Sequence, residues 1–122
     1  MARFRLARPA QIDLANILAT SAERWGVEGR QRYAAVLVAA MRQVAAEPEG
    51  PLTRKRPELR SDVRSFHVRY ARRPAQATEV RRPVHVLYYC VAGDSVIEIV
   101  RVLHERMDPS RHLDELPPEG GI

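Results

Sequence analysis

The chain has 122 residues, of which 45% are hydrophobic and 29% charged, with a formal net charge of +5 at pH 7. This size suits one domain with a single two-layer core, and the composition excludes a disordered chain. No apolar run approaches the roughly 20 residues of a bilayer span, and the basic start lacks the apolar stretch of a secretory signal, so we expect a cytoplasmic protein.

The positive charge is concentrated in the middle of the chain. Residues 54–82 hold ten basic and three acidic side chains, a net charge of +7, which leaves −2 for the remainder. Such a segment suggests an acidic partner, either a nucleic acid or an acidic protein segment. The alternative is ordinary solvated surface, because a chain with one lysine among twenty basic residues can owe its arginines to genomic base composition.

The first half of the sequence predicts one strand and two helices. Residues 3–8 alternate polar and apolar side chains, and Pro9 then fits the first turn of a helix that ends at Gly26. A second helix over residues 28–46 follows the short connection "GVEG", which favours an antiparallel helix hairpin. The apolar stripes expected to face a sheet are Ala10, Leu14, Ile17, Leu18 and Trp25 in the first helix, and Tyr33, Leu37, Val38, Met41, Val44 and Ala45 in the second.

Three strands are predicted in the second half, at residues 63–70, 84–91 and 95–103, after an irregular connection rich in proline. The first strand alternates and therefore has one wet face, on which Ser65, His67 and Arg69 are expected. The other two strands are apolar on both faces and are joined by a tight turn at "AGD".

A long polar connection, residues 71–83, separates the first two of these strands, and Asp108 before Pro109 predicts a short helix that carries Leu113 and Leu116. The order β-α-α-β-β-β predicts a two-layer α+β domain over residues 1–122, with a helix hairpin packed on a mainly antiparallel four-stranded sheet. Residues 109–122 are expected to form the short helix and a flexible tail.

Cys90 is the only cysteine, so an internal disulfide is excluded and a cysteine-based zinc site has too few ligands. Its apolar neighbours predict a small buried side chain. The spacing of His104, Glu105, Asp108 and His112 would allow a metal site, but nothing in the sequence fixes its geometry. We therefore expect no metal and no cofactor.

The last predicted strand changes character towards its end, in "IEIVRVLHERMD" at residues 97–108. Arg101 interrupts an apolar strand, so its charge needs a partner, and Asp13, Glu105 or a bound protein are the candidates. Arg106 and Met107 follow, and both residue types are enriched in protein interfaces. This stretch is therefore interpreted as half core and half docking edge.

That stretch, with "DLANI" at 13–17, "RWG" at 24–26 and "RHL" at 111–113, resembles the RelE/ParE superfamily of bacterial type II toxins, and most of all ParE. The likeness covers nearly the whole chain, and the motif at 97–108 is its most specific part. The connection at residues 71–83 is longer than the usual link between those strands of the superfamily.

The resemblance implies a toxin, of plasmid or chromosomal stability systems, that is neutralised by an antitoxin encoded beside it. Such an antitoxin is usually a small protein with a ribbon-helix-helix DNA-binding part and a C-terminal part that wraps around the toxin. ParE members are thought to poison DNA gyrase without chemistry of their own, whereas RelE members cut messenger RNA on the ribosome.

RNA cleavage needs a base, an acid and a cation at the phosphate. If the chain is a nuclease, the candidate catalytic residues are Arg64, His67, Tyr89, Arg101 and His104, with Tyr88 as an alternative to Tyr89. The strand "VHVLYYCV" supplies neither arginine nor lysine, although RelE-type sites resemble a set of basic residues on this strand and the one before it. If the chain is not a nuclease, we expect His67 to be an exposed histidine and His104 to hydrogen-bond the turn that follows it.

We therefore expect a ParE-like toxin that inhibits DNA gyrase by binding it, with a RelE-like ribosome-dependent endoribonuclease as the alternative. A third possibility is a family member that binds its antitoxin and harms nothing. The expected partners are a ribbon-helix-helix antitoxin and gyrase, without a small-molecule substrate. The residues expected to bind target or antitoxin are Arg64, Arg69, Arg81, Arg82, Arg101, His104, Arg106 and Met107.

Overall fold

A computed structural model describes residues 3–73, 80, 82–91, 95–113 and 116 of the chain. It has one long helix and a five-stranded mixed sheet, so the predicted α+β class is confirmed. The elements are β1 (Phe4–Leu6), α1 (Arg8–Ala46), β2 (Arg54–Lys55), β3 (Val63–His67), β4 (His85–Val91) and β5 (Ile97–His104), with 3₁₀ turns at Val68–Tyr70 and Pro109–Arg111.

Helix α1 replaces the predicted pair of helices joined by a loop. A single residue, Gly26, leaves helical geometry with φ 74° and ψ −174°, and the helix continues immediately after it. Glycine adopts this backbone conformation readily because it has no Cβ. The predicted helix hairpin is therefore wrong in detail, since "GVEG" forms a one-residue kink in place of a loop.

Because Gly26 has a positive φ, a side chain at residue 26 is expected to destabilise the fold. We expect Gly26→Ala to lower the free energy of unfolding by about 1–3 kcal/mol, measured by urea denaturation. No atom lies within 4 Å of the added Cβ, so backbone strain is the only cause. Glu28→Ala, at an exposed helical position, is the control and should change stability by less than about 0.5 kcal/mol. Equal stabilities of wild type and Gly26→Ala would refute the strain.

Most of the predicted apolar stripes do pack on the sheet, and Val38 and Trp25 are the exceptions. Val36 and Ala40 are fully buried, whereas Val38 is 37% exposed and Trp25 is 61% exposed. The helix-side core consists of Ala10, Tyr33, Val36, Leu37, Ala40, Met41, Val44 and Ala45 from α1, with Phe66, Leu87, Tyr89, Ile97, Ile99 and Val102 among the sheet residues. No described helix has the length and apolar character that a bilayer crossing requires.

The strand order is β1-β5-β4-β3-β2, with β1 parallel to β5 and every other pair antiparallel. The predicted sheet of four strands is therefore corrected to five. Strand β2 lies in the connection that was predicted to be irregular, and it pairs through only two residues, Arg54 and Lys55. Two charged residues carry no periodicity, so this strand had no detectable sequence signal.

The second face of the sheet is also covered. Tyr88, Cys90, Val100, Leu103 and Leu113 form a second core there, with Leu59, Val86 and Leu116 packed against it. Ser65, which was predicted on a wet face, is only 4% exposed. Arg56 covers that face because its Nη1 donates to Ser65 Oγ at 3.4 Å and its guanidinium lies 5.5 Å from the ring centroid of Tyr88.

Cys90 is buried, as its sequence context predicted. The thiol is 4% exposed, and burial, helped by the negative charge of Asp62, raises its pKa to about 11. At about pH 7.5 we expect the folded protein to resist alkylation by iodoacetamide, because the thiolate is the reactive form. Mass spectrometry should detect the adduct only after unfolding in urea. Alkylation of the folded protein at the rate found for the unfolded protein would contradict the burial of the Cys90 thiol.

Candidate functional site

Three strand ends meet at one end of the sheet, where β3 ends, β4 begins and β5 ends. His85 is the register partner of His104, and the Glu105 amide donates to the Val84 carbonyl at 2.7 Å. Glu105 Oε1 contacts His67 Nε2 at 2.8 Å, so an ion pair can join β5 to β3 across this end. The hydrogen bond from His67 holds the pKa of Glu105 below its usual value, with a further contribution from Arg82.

The exposed residues around this pair form what we call the strand-end surface: Arg69, Tyr70, Arg82, Arg106 and Met107. The Arg69 guanidinium lies 4.8 Å from the ring centroid of Tyr70 and also donates to its hydroxyl at 2.8 Å. Arg82 has 81% of its side chain exposed and lies 3.9 Å from Glu105. Met107 is 37% exposed. The fold thus gathers four of the predicted binding residues in one place, whereas Arg81 lies outside the described residues.

Behind this surface, Tyr33, His85 and His104 form a row that sequence reasoning did not find: Tyr33 hydrogen-bonds His85, and the His85 and His104 rings are in edge contact. The Val84 amide donates to the Tyr33 hydroxyl oxygen at 3.3 Å, and the same hydroxyl hydrogen-bonds His85 Nδ1 at 2.6 Å. The Arg106 amide donates to His104 Nδ1 at 3.1 Å. His104 Nδ1 is therefore an acceptor, which places the N–H of the neutral ring on Nε2, and the ring centroids of His85 and His104 are 5.7 Å apart.

The environment of His85 favours its neutral form. Burial is the main cause and lowers its pKa to about 4, with further repulsion from His104 and His67. Tyr33 is 7% exposed, and burial raises its pKa above the usual value. Tyr33 had been assigned only to the apolar stripe of its helix, and nothing in the sequence marks its partnership with a histidine 52 residues away.

Arg101 is engaged inside the protein and lies apart from the strand-end surface. Its Nε and Nη2 donate to the two carboxylate oxygens of Asp13 at 2.7 and 2.8 Å, and its Nη1 donates to the His112 carbonyl at 2.6 Å. Asp13 was one of its predicted partners, and this pairing is confirmed. Asp13 also accepts a hydrogen bond from the Val102 amide at 2.9 Å.

A β-bulge in β5 explains how Arg101 reaches helix α1. Tyr88 pairs with Arg101 while Tyr89 pairs with Ile99, which leaves Val100 as an extra residue in the strand. An extra residue re-aims the neighbouring side chains and disturbs the ladder, and the Asp13 carboxylate binds the Val102 amide next to the bulge.

Arg64 and Tyr89 lie together in a third place. Arg64 Nη2 donates to Thr53 Oγ1 at 2.7 Å, and its Nε is buried without a hydrogen-bond partner in the described structure. Tyr89 is fully buried and donates to the Pro48 carbonyl at 2.5 Å. Burial raises the pKa of Tyr89, although Thr53 and Arg64 partly oppose the effect.

The five residues predicted for a nuclease are thus divided among three places. His67 and His104 lie at the strand ends, Arg101 lies in the Asp13 ion pair, and Arg64 lies beside Tyr89. The alternative tyrosine, Tyr88, is 4% exposed on the second face. Among the described residues, no group of three or more histidine, cysteine, aspartate or glutamate side chains is placed to hold a metal ion.

A cleft of about 740 Å³ adjoins the histidine row, between the two halves of α1 and the strand ends. Trp25 lines it from beside the kink, and Tyr33, His85 and His104 line its inner side. The exposure of Trp25 is explained by this position. Sequence periodicity assigned Trp25 to the core because the pattern extends up to the kink.

Comparisons with known proteins identify the family of the chain. A profile of the family described as "ParE toxin of type II toxin-antitoxin system, parDE" matches residues 4–109. Toxin ParE1 of Mycobacterium tuberculosis (strain ATCC 25618 / H37Rv) is 32% identical over 111 residues, which cover 91% of this chain and 97% of the relative. Toxin ParE1 of Caulobacter vibrioides is 34% identical over 113 residues, covering 93% and 99% respectively. The chain therefore belongs to the ParE toxin family of type II toxin–antitoxin systems.

Proposed function

We propose that this chain inhibits DNA gyrase by binding it in the cytoplasm and is held inactive by a cognate antitoxin of the ribbon-helix-helix type. Membership of the ParE family supports a cognate antitoxin as a partner. The observation that carries the proposal is the strand-end surface, where exposed arginines, a tyrosine and a methionine project from a rigid sheet. Arginine, tyrosine and methionine are the residue types enriched in protein interfaces.

The strand-end surface has the charge to attract an acidic partner. Arg69, Arg82 and Arg106 are exposed and are held on three neighbouring strand ends, so they present positive charge together. Complementary charge speeds the encounter of two proteins and fixes their register. A core-anchored surface of this kind also requires little ordering on binding, which favours affinity.

The internal bonds of the nuclease candidates support a role without chemistry. Tyr89 is fully buried and bonded to a carbonyl, and the guanidinium of Arg101 is held by the Asp13 carboxylate and a second carbonyl. A cleavage site needs its base, acid and cation around one phosphate. These side chains are not assembled around one point.

The second candidate function is ribosome-dependent cleavage of messenger RNA, and one observation favours it. His67 Nε2 lies 2.8 Å from Glu105 Oε1, and a carboxylate that orients a histidine is common in acid–base sites. His104 lies at the same end of the sheet, close to His85. The nuclease alternative can therefore be tested by substitution of His67 and of His104.

Expression of the chain without its antitoxin separates the two functions. We expect altered supercoiling of a reporter plasmid and induction of the DNA-damage response, with messenger RNA left intact. A neighbouring open reading frame with a ribbon-helix-helix pattern should abolish both effects when it is co-expressed. Cleavage of messenger RNA with unchanged supercoiling would contradict gyrase inhibition and would support the nuclease function.

Charge reversal on the strand-end surface tests the binding role. We expect the double variant Arg82→Glu, Arg106→Glu to reduce the association rate with the cognate antitoxin by at least about tenfold at low salt, measured by stopped-flow kinetics. Its thermal unfolding should stay close to that of wild type, because both side chains are exposed.

Arg3→Glu is the matched control. Arg3 is exposed beside Ile97, at the opposite end of β5 from His104, which places it about 20 Å from the strand-end surface at the rise of a β-strand. The control changes the net charge by half as much as the double variant. If Arg3→Glu and the single variant Arg82→Glu slow association equally, net charge and not this surface attracts the antitoxin.

A further inference from the structure

The cleft beside the histidine row has the size and shape of a small-molecule site. Its volume of about 740 Å³ lies within the roughly 300–1,000 Å³ common for ligand pockets. Ile17 and Arg24 line it from before the kink in α1, and Tyr33 lines it from after the kink. His85 and His104 close it on the side of the sheet.

The polar groups of the cleft favour an anion. Arg24, Arg32 and Arg82 line it, and none of its described lining residues is an aspartate or a glutamate. The Arg106 amide donates to His104 Nδ1, so the Nε2 of the neutral ring carries an N–H and donates. Together with the arginines, this N–H favours a ligand that supplies acceptors.

Trp25 adds a flat aromatic surface to this positive charge. It is the only tryptophan of the chain, it is 61% exposed, and it follows Arg24 directly in α1. A Cβ at Gly29 would lie 2.3 Å from the Cβ of Trp25, so the missing side chain at residue 29 leaves the space that Trp25 occupies. The backbone at the cleft thus accommodates an exposed indole.

We propose that this cleft binds a nucleoside phosphate, with the base stacked on Trp25 and the phosphate bonded to Arg24. Aromatic side chains stack on any base, and a guanidinium binds phosphate oxygens through parallel hydrogen bonds. An acidic side chain would use the guanidinium but has no flat aromatic face to stack on the indole. A free nucleotide and the 5′ end of a nucleic-acid strand present the same chemistry. This site goes beyond the proposed function, because it requires neither gyrase nor an antitoxin.

The single tryptophan makes binding directly measurable. We would titrate the full chain with adenosine 5′-monophosphate, adenosine or inorganic phosphate and follow the fluorescence of Trp25. We expect saturable quenching by adenosine 5′-monophosphate, at a concentration at least about tenfold lower than that needed for either fragment, because only the intact ligand uses both surfaces. A 5′-phosphorylated DNA trinucleotide that binds more tightly assigns the site to strand ends, and weaker binding assigns it to free nucleotides.

Two substitutions test whether the ligand binds in this cleft. Arg24→Gln should weaken adenosine 5′-monophosphate about tenfold, the effect of one lost charged hydrogen bond, and should leave the circular dichroism spectrum unchanged because Arg24 is exposed. Arg3→Gln removes the same charge far from the cleft and should leave the affinity unchanged. The proposal is overturned if no saturable quenching occurs up to about 10 mM ligand. Equal weakening by the two variants, or quenching by an acidic peptide alone, would also overturn it.

Discussion

We expect Asp13→Ala to lower the free energy of unfolding by about 3 kcal/mol, one of the largest losses available from a single polar substitution in this chain. The Asp13 carboxylate accepts two hydrogen bonds from Arg101 and one from the Val102 amide. Only 12% of the Asp13 side chain and 21% of the Arg101 side chain are exposed, so water cannot replace these bonds fully. Removal of the carboxylate therefore takes three hydrogen bonds and a negative charge away from a largely buried site.

Urea denaturation of paired variants separates the ion pair from other effects of the substitution. Glu23→Ala, which removes an exposed carboxylate from the same helix, should cost less than about 0.5 kcal/mol. The double variant Asp13→Leu, Arg101→Met should recover part of the loss, because it leaves no unpaired charge. A loss below about 1 kcal/mol for Asp13→Ala would show that this ion pair contributes little to the fold.

The second large effect is a loss of stability in mild acid that is caused by His85. Its pKa is lowered from 6.5 to about 4 in the folded protein, so the unfolded chain binds more protons than the folded chain between these two values. Stability therefore falls as pH falls through this window, and it is fully present above about pH 6.5. The full difference is of order 3 kcal/mol.

The groups that face His85 act in both directions. Tyr33 on α1 hydrogen-bonds it, His104 and His67 repel its positive form, and Asp13 and Glu105 attract it. Burial exceeds all of these effects, which is why the neutral imidazole is favoured.

Substitution of the histidine tests this pH dependence. We expect His85→Gln to reduce the slope of unfolding free energy against pH between about 4 and 6.5, since glutamine keeps a polar side chain that does not titrate. Gln31→Asn, at an exposed position that does not titrate, is the control and should keep the slope of the wild type. Identical slopes for wild type and His85→Gln would contradict a lowered pKa at this residue.

The larger part of the fold follows from hydrophobic periodicity. The patterns at residues 3–8, 63–70 and 84–91 each contain a strand of the structure, the pattern at 95–103 covers all of β5 except His104, and the helical pattern ends at Ala46 as predicted. These segments have long apolar faces that must be buried, which makes their periods visible in the sequence.

The features that sequence reasoning missed depend on geometry over one or two residues. Gly26 was taken for a helix end because a C-terminal glycine and a kink glycine look alike in sequence. The bulge at Val100 shifts the alternation of β5 by one residue, so the side of the sheet that Arg101 faces could not be deduced from its spacing to Glu98.

The candidate site was also predicted only in part from the sequence. Arg106 and Met107 were predicted because both residue types are enriched in protein interfaces, and Arg82 because it lies in the basic middle segment. Their grouping with Arg69, and the row formed by Tyr33 and His85, required the strand register and the helix crossing that only the fold supplies.

The central claim is that the strand-end surface binds other macromolecules and performs no reaction. Purified chain added to purified DNA gyrase, without ribosomes or RNA, tests it most directly through the rate of DNA supercoiling. We predict inhibition that persists in His67→Ala and in His104→Ala and disappears in Arg82→Glu, Arg106→Glu. Unimpaired supercoiling, together with cleavage of ribosome-bound message that both histidine substitutions abolish, would contradict the account.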